Sequence, residues 1–114
     1  MVIPSFDMPI VWVYTGADGV SHMEEIQDSI AATDSKKVTD LRFLRSEAGS
    51  GQRLNAPYGH YDITLAGQMD LSVADGTSIR VGPGGVCLVE DQVDHSFTVV
   101  GTEPRIFIIA RLAQ

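Results

Sequence analysis

The chain has 114 residues, of which 44% are hydrophobic and 20% are charged, a composition typical of one globular domain and not of a disordered chain. Its 15 acidic and 8 basic residues give a net charge of −7, so we expect no nucleic acid and no membrane among its partners, because phosphate binding requires clustered Lys and Arg. No apolar run approaches the ~20 residues that span a bilayer and the first residues do not resemble a signal peptide, so we expect a cytoplasmic protein.

Short β-rich runs separated by turn residues predict an antiparallel sandwich or barrel. The first runs are IVWVYT (Ile10 to Thr15) and the alternating SHMEEIQ. The polar DSIAATDSKK predicts a loop or one helical turn, since Ser, Thr and Asp compete with the helical backbone. The next run is VTDLRFLRS (Val38 to Ser46), which places Leu41 and Phe43 on one face and ends at the glycine-rich EAGSGQ.

Six further runs complete the predicted strands: HYDITLAG, QMDLSVADG, TSIRVGPGG, VCLVED, HSFTVVG and PRIFIIARL. Asp75 and Gly76 predict a hairpin turn between the second and third of these. The single cysteine, Cys87, lies in an apolar run that predicts burial, and it allows no internal disulfide, in agreement with a reducing compartment. Without repeats or linkers, residues 1–114 are predicted to form one domain.

His60 and His95 each lie at a fixed distance in the sequence from a glycine. Gly84, preceded by Pro83, comes eleven residues before His95, and His60 comes seven residues before Gly67. In these spacings, residues of about 51–67 and about 82–99 resemble the two motifs of the cupin family, with His60 at the position where cupins usually have glutamate. The resemblance implies an all-β fold, an antiparallel jelly-roll β-barrel that is often a homodimer.

The resemblance also implies a pocket between the two motifs, where cupins commonly bind one divalent metal ion such as Fe, Zn, Mn or Ni. The paired histidines of the first motif are replaced by Leu54 and Ala56 or, with the longer spacing, by Arg53 and Asn55. Cupin activities include those of dioxygenases, isomerases, lyases, dehydratases and cyclases, as well as small-molecule binding. The fold does not choose among them.

Alternation along the strands predicts which side chains share the pocket. If His60 points inward, Asp62 and Thr64 do so as well, and Phe97 shares the face of His95. Unpaired buried polar groups cost about 1–3 kcal/mol each, so such a cluster is expected to be hydrogen-bonded or used.

Three interpretations of His60 and His95 remain open. They are metal ligands completed by Asp62 or His22, a metal-free acid–base pair, or structural histidines satisfied by hydrogen bonds. Further candidates are a proton-donating phenol at Tyr58 and substrate contacts from His22, Arg53, Asn55, Thr64 and Phe97.

The leading hypothesis is an enzyme that performs acid–base chemistry (dehydration, isomerisation or cyclisation) on a small organic substrate. Its proposed catalytic residues are His60, His95, Asp62 and Tyr58. The alternatives are a metal-dependent dioxygenase or lyase and a binding protein without catalysis. A homodimer is expected in each case.

Overall fold

Ten β-strands in two sheets make up the computed structural model, which describes residues 9–30 and 35–114. The strands are β1 (Ile10–Thr15), β2 (Ser21–Glu25), β3 (Val38–Ser46), β4 (Gly51–Leu54), β5 (His60–Ala66), β6 (Gln68–Val73), β7 (Ser78–Val81), β8 (Val86–Val89), β9 (His95–Val100) and β10 (Arg105–Leu112). Among the described residues, no helix is long and apolar enough to cross a membrane.

The two sheets face each other and enclose the core. The larger sheet has the order β2-β1-β8-β5-β10-β3, and the smaller one has the order β4-β9-β6-β7. Neighbouring strands are antiparallel except β1 and β8, which run parallel with Ile10 opposite Val86. The prediction of an all-β jelly-roll fold is therefore confirmed.

Inward-facing positions alternate along the strands and fill the space between the sheets with aliphatic side chains. The buried hydrophobic cluster consists of Val11, Val13, Met69, Leu71, Val73, Val81, Cys87, Val89, Val93, Phe97 and Val99. Cys87 is one of its members, as its apolar run predicts, and burial raises the pKa of its thiol to about 12.

Local turn chemistry agrees with the sequence at the β6–β7 hairpin and in the described part of DSIAATDSKK, and it differs from the sequence at the glycine-rich break. Asp75 and Gly76 form the predicted turn, and Gly76 has a φ of 92°. A short strand, β4, begins inside the glycine-rich break, because Gly51 allows the chain to approach β9 closely. The segment DSIAATDSKK begins in a 3₁₀ turn (Gln27–Ser29), and its residues 31–34 lie outside the described part of the chain.

Candidate functional site

Strands β5 and β9 bring His60 and His95 together in the interior. His60 lies opposite Val89 on β8, and His95 lies opposite Val73 on β6. The two ring centroids are 6.1 Å apart, and each residue is 5% exposed. The two histidines that the spacing pattern singled out therefore lie next to each other in the structure.

Hydrogen bonding distinguishes the two rings. His95 donates from Nδ1 to the carbonyl oxygen of Val93 at 2.8 Å. Since a carbonyl only accepts, this Nδ1 carries a proton, and Nε2 is left as the nitrogen that exchanges one. The Nδ1 atom of His60 is buried and has no hydrogen-bond partner.

The buried environment also determines the charge of His60. Burial lowers the pKa of His60 below its ordinary value and outweighs the opposing effect of the Tyr58 backbone. The weaker charge effects of His95, which lowers the pKa, and of Asp62, which raises it, come after these two. His60 is therefore a neutral imidazole at pH 7, with one ring nitrogen uncompensated. A buried polar atom without a partner costs free energy, which makes His60 Nδ1 a candidate contact for a ligand or a proton.

A buried arginine, which the sequence analysis did not single out, occupies the same interior. Arg105 has no exposed surface. Its Nη2 donates to Thr64 Oγ1 at 2.8 Å and to the carboxylate of Asp62, and its Nε donates to Thr64 Oγ1 at 3.2 Å. Its guanidinium also lies over the ring of Phe107, 4.0 Å from the ring centroid.

This arginine changes the role of two predicted site residues. Asp62 and Thr64 do lie on the inner face with His60, but their side-chain hydrogen bonds go to Arg105 and not to a histidine. The expectation that Asp62 orients a histidine is replaced by a structural ion pair, because a buried guanidinium requires a carboxylate beside it. Phe97 is buried near the same group, 5.8 Å from the guanidinium carbon.

Tyr58 lies beside the histidine pair. Its ring centroid is 6.0 Å from that of His60 in an edge-on arrangement. The guanidinium of Arg111 lies over the Tyr58 ring, 4.3 Å from the ring centroid. Tyr58 is thus held against His60 from one side and covered by a cation on another.

Arg53 and Asn55, two predicted substrate contacts, lie on the outside. Arg53 is opposite Ser96 on the outward face of β4, is 79% exposed and pairs with Asp94 at 2.7 Å. Asn55 is exposed in the loop after β4. The alternation of β4 directs Leu54 and not Arg53 toward His95 in the interior. Arg53 nevertheless lines a cleft of about 420 Å³ together with His95, Val73 and Asp94.

His22 joins a different cluster. Its Nδ1 lies 2.8 Å from Asp75 Oδ2, and its Nε2 lies 2.8 Å from Asp18 Oδ2. The hydrogen bond with Asp18 and, after it, the one with Asp75 raise the pKa of His22. Next to it, the backbone N–H of Ala74 donates to Ser21 Oγ at 2.7 Å. This cluster ties the β1–β2 loop and β2 to the β6–β7 hairpin and so joins the two sheets.

Two loops meet at the end of the fold where the histidines lie. The backbone N–H of Gln92 in the β8–β9 loop donates to the carbonyl of Ala56 in the β4–β5 loop at 2.7 Å. Gln92 has a φ of 57°, uncommon for a residue other than glycine. A cleft of about 550 Å³ lies against these loops and is lined in part by Gly59, Val89 and Gln92.

The donor set does not fit the divalent metal that the cupin resemblance implies. His60 and His95 supply two nitrogen ligands, and structural or catalytic sites usually need three or more from the protein. Asp62, the nearest carboxylate on the same strand, is neutralised by a fixed cation at Arg105, and His22 belongs to the separate cluster. Within residues 9–30 and 35–114, no group of three His, Cys, Asp or Glu side chains is placed to hold an ion.

No protein-family model and no curated protein sequence matches the chain. Among solved structures, a cupin protein from Bacteroides fragilis is 14% identical, with 73% of this chain and 80% of that one covered and a TM-score of 0.56. The chain has the cupin fold.

Two structures of enzymes share this cupin fold. The polyketide cyclase RemF from Streptomyces resistomycificus is 20% identical over 65% of this chain and 54% of its own, with a TM-score of 0.57. The iron(II) form of HppE, in complex with its substrate, is 16% identical over 62% of this chain and 44% of its own, with a TM-score of 0.55. The chain thus spans about half the length of these enzymes. Enzymes that act on small molecules, one of them with iron, occur among the proteins that share the fold.

Proposed function

We propose that this cupin is a metal-independent enzyme that moves protons on a small organic substrate, with His60 and His95 as the proton-transfer pair. The observation that carries the proposal is the buried Nδ1 atom of His60, which has no hydrogen-bond partner although its ring lies beside a second histidine. Such an atom supports a functional role over packing, because the ring nitrogens of a buried structural histidine are normally hydrogen-bonded.

The two histidines suit complementary roles. His60 is kept neutral by burial and so is available as a base that removes a proton from carbon next to a carbonyl group. The hydrogen bond to the Val93 carbonyl orients His95, whose Nε2, when protonated, donates to the departing oxygen. One C–H and one C–O bond break, one C=C bond forms, and the hydroxyl leaves as water with the proton from His95. His60 then releases the abstracted proton to solvent and His95 takes one up, which restores both rings.

The residues around His60 and His95 limit the kind of substrate that can bind beside them. The walls next to the histidines are apolar, and the one buried cation of the site, Arg105, is compensated by Asp62. A small substrate with a carbonyl and a hydroxyl group fits this setting better than a polyanion, because no uncompensated positive charge of the described interior would offset the desolvation of several negative charges. A small organic substrate is also supported by RemF, a polyketide cyclase by name that shares the fold.

The test uses protein freed of metal by a chelator, with the metal content measured by mass spectrometry. The protein is incubated in D₂O with a panel of small β-hydroxycarbonyl compounds, and ¹H NMR records deuterium exchange and loss of water. We expect turnover by the wild type and losses of about 10²–10⁴-fold in His60→Gln and His95→Gln. His22→Gln is the matched control, since it removes a histidine outside the pair, and it should retain activity.

Two results would overturn the proposal. If activity appears only after Fe, Zn, Mn or Ni is added back, the cupin is metal-dependent. If the panel binds without exchange or water loss, and His60→Gln changes affinity alone, the protein is a binding module and not an enzyme.

A further inference from the structure

Strand β3 is an open edge of the larger sheet. It pairs with β10 on one side, and no described strand lies on the other. All nine of its residues are exposed or half-buried. Its second row of backbone N–H and C=O groups is therefore available to another strand.

The side chains of β3 protect this edge only in part. The strand VTDLRFLRS has neither proline nor lysine, two residues that commonly block edge pairing, although it carries charges at Asp40, Arg42 and Arg45. Its outer face instead carries two large apolar side chains, Leu41 (52% exposed) and Phe43 (68% exposed). Exposed apolar residues on an open, nine-residue edge are typical of a strand that pairs with another chain.

The charges on the opposite face of β3 are self-complementary. Asp40 and Arg42 are both exposed and stand two positions apart, so they lie on the same face. Neither forms an ion pair with any of the described residues. In an antiparallel pair, residues directly opposite each other interact, and opposite charges there are favourable while like charges are not.

A twofold axis through the sheet permits only a few registers, because opposite residues must point to the same side. With Leu41 on the axis, Asp40 of each copy faces Arg42 of the other, and Leu41 faces its own counterpart. With Asp40 or Arg42 on the axis, two like charges face each other. With Phe43 on the axis, Arg42 faces the apolar Leu44. Only the register centred on Leu41 gives two opposite-charge pairs.

We infer that β3 pairs antiparallel with β3 of a second copy of this chain, centred on Leu41, so that the two larger sheets join into one continuous sheet in a homodimer. The twofold axis closes the assembly, since each copy uses the same edge once. Pairing satisfies the exposed backbone groups and covers Leu41 and part of Phe43.

Two charge reversals test the register without knowledge of any ligand. Sedimentation velocity over a range of concentrations measures the dimer dissociation constant, and far-UV circular dichroism reports folding. Asp40→Arg and Arg42→Asp each place like charges opposite one another, and we expect each to weaken the dimer by about tenfold or more. Arg80→Glu, on β7 of the smaller sheet, is the matched control for a change of surface charge and should leave the dimer unchanged.

The decisive measurement mixes the two single variants in equal amounts. In the proposed register, a copy with Asp40→Arg and a copy with Arg42→Asp face each other with opposite charges at both positions, so the mixture should form a heterodimer about as stable as the wild-type dimer. A monomeric wild type, single variants that dimerise normally, or a mixture that stays monomeric would each overturn the inference. Concentration-dependent growth beyond a dimer would do so as well, since it indicates pairing of β3 with a different edge.

Discussion

The guanidinium of Arg105 lies over the ring of Phe107, with its central carbon 4.0 Å from the ring centroid. It also binds the carboxylate of Asp62 and the hydroxyl of Thr64, so its hydrogen-bond partners lie on β5, the strand next to its own in the larger sheet. The buried guanidinium of Arg105 thus links β5 to β10. It makes ionic and hydrogen-bond contacts with β5 and an aromatic contact with Phe107 on β10.

Breaking this ion pair should destabilise the protein severely. Asp62→Asn leaves the guanidinium buried without its countercharge, and we expect a loss of about 3 kcal/mol or more in the free energy of unfolding, measured in urea. Asp70→Asn, which removes the partner of the exposed Arg80, is the matched control and should cost less than about 1 kcal/mol. Equal losses in the two variants would contradict the structural role of Arg105.

The sequence could predict Asp62 and Thr64 as inward-facing but could not identify Arg105 as their partner. Alternation within one strand determines which residues share a face, whereas the register of β10 against β5 is a long-range property of the fold. One signal was available: an inward carboxylate requires a buried cation, and Arg105 is the basic residue that opens the last predicted strand. The histidine pair was predictable because a family resemblance supplied the missing cross-strand information.

His60 should remain neutral in the folded protein at pH values where a free histidine is protonated. Because burial lowers its pKa, protonation favours the unfolded chain, so the stability that depends on neutral His60 is lost as the pH falls below about 6.5. We expect ¹⁵N NMR to show that the His60 ring titrates at a lower pH than the ring of a free histidine. The free energy of unfolding of His60→Gln should fall less than that of the wild type between pH 7 and pH 5.

His22 should show the opposite pH dependence. Its pKa is raised by Asp18 and then Asp75, so its contribution is fully present below about pH 6.5 and is lost as the pH rises through the elevated value. The pKa values of Asp18 and Asp75 are lowered, so their contribution is lost only in strong acid. His22→Gln should therefore destabilise the fold most near pH 5 and least near pH 9, as measured by urea unfolding at each pH. A pH-independent difference would show that the imidazolium is not what joins the two sheets.

Gly67, the glycine of the first cupin-like motif, should not tolerate a side chain. It has a φ of 76°, and an added Cβ would overlap the carbonyl oxygen of Pro104 and lie 2.8 Å from the Cα of Arg105. Gly101 has a similar φ of 82° with open space around it, so Gly101→Ala isolates the backbone cost of about 1 kcal/mol. We expect Gly67→Ala to lower the free energy of unfolding by clearly more than Gly101→Ala does. If the two changes cost the same, the close approach to Pro104 has no energetic role.

The parallel pairing of β1 with β8 has a consequence for the order in which the protein acquires its structure. β1 is the first described strand to leave the ribosome, yet its place between β2 and β8 exists only after Val86–Val89 has been synthesised. Contacts between segments so distant in the chain form slowly, because the intervening loop must first be closed. During that interval the edge of β1 that β8 will occupy has no partner, so a chain still in synthesis presents this edge, with the apolar Val11 and Val13, to chaperones and to other nascent chains.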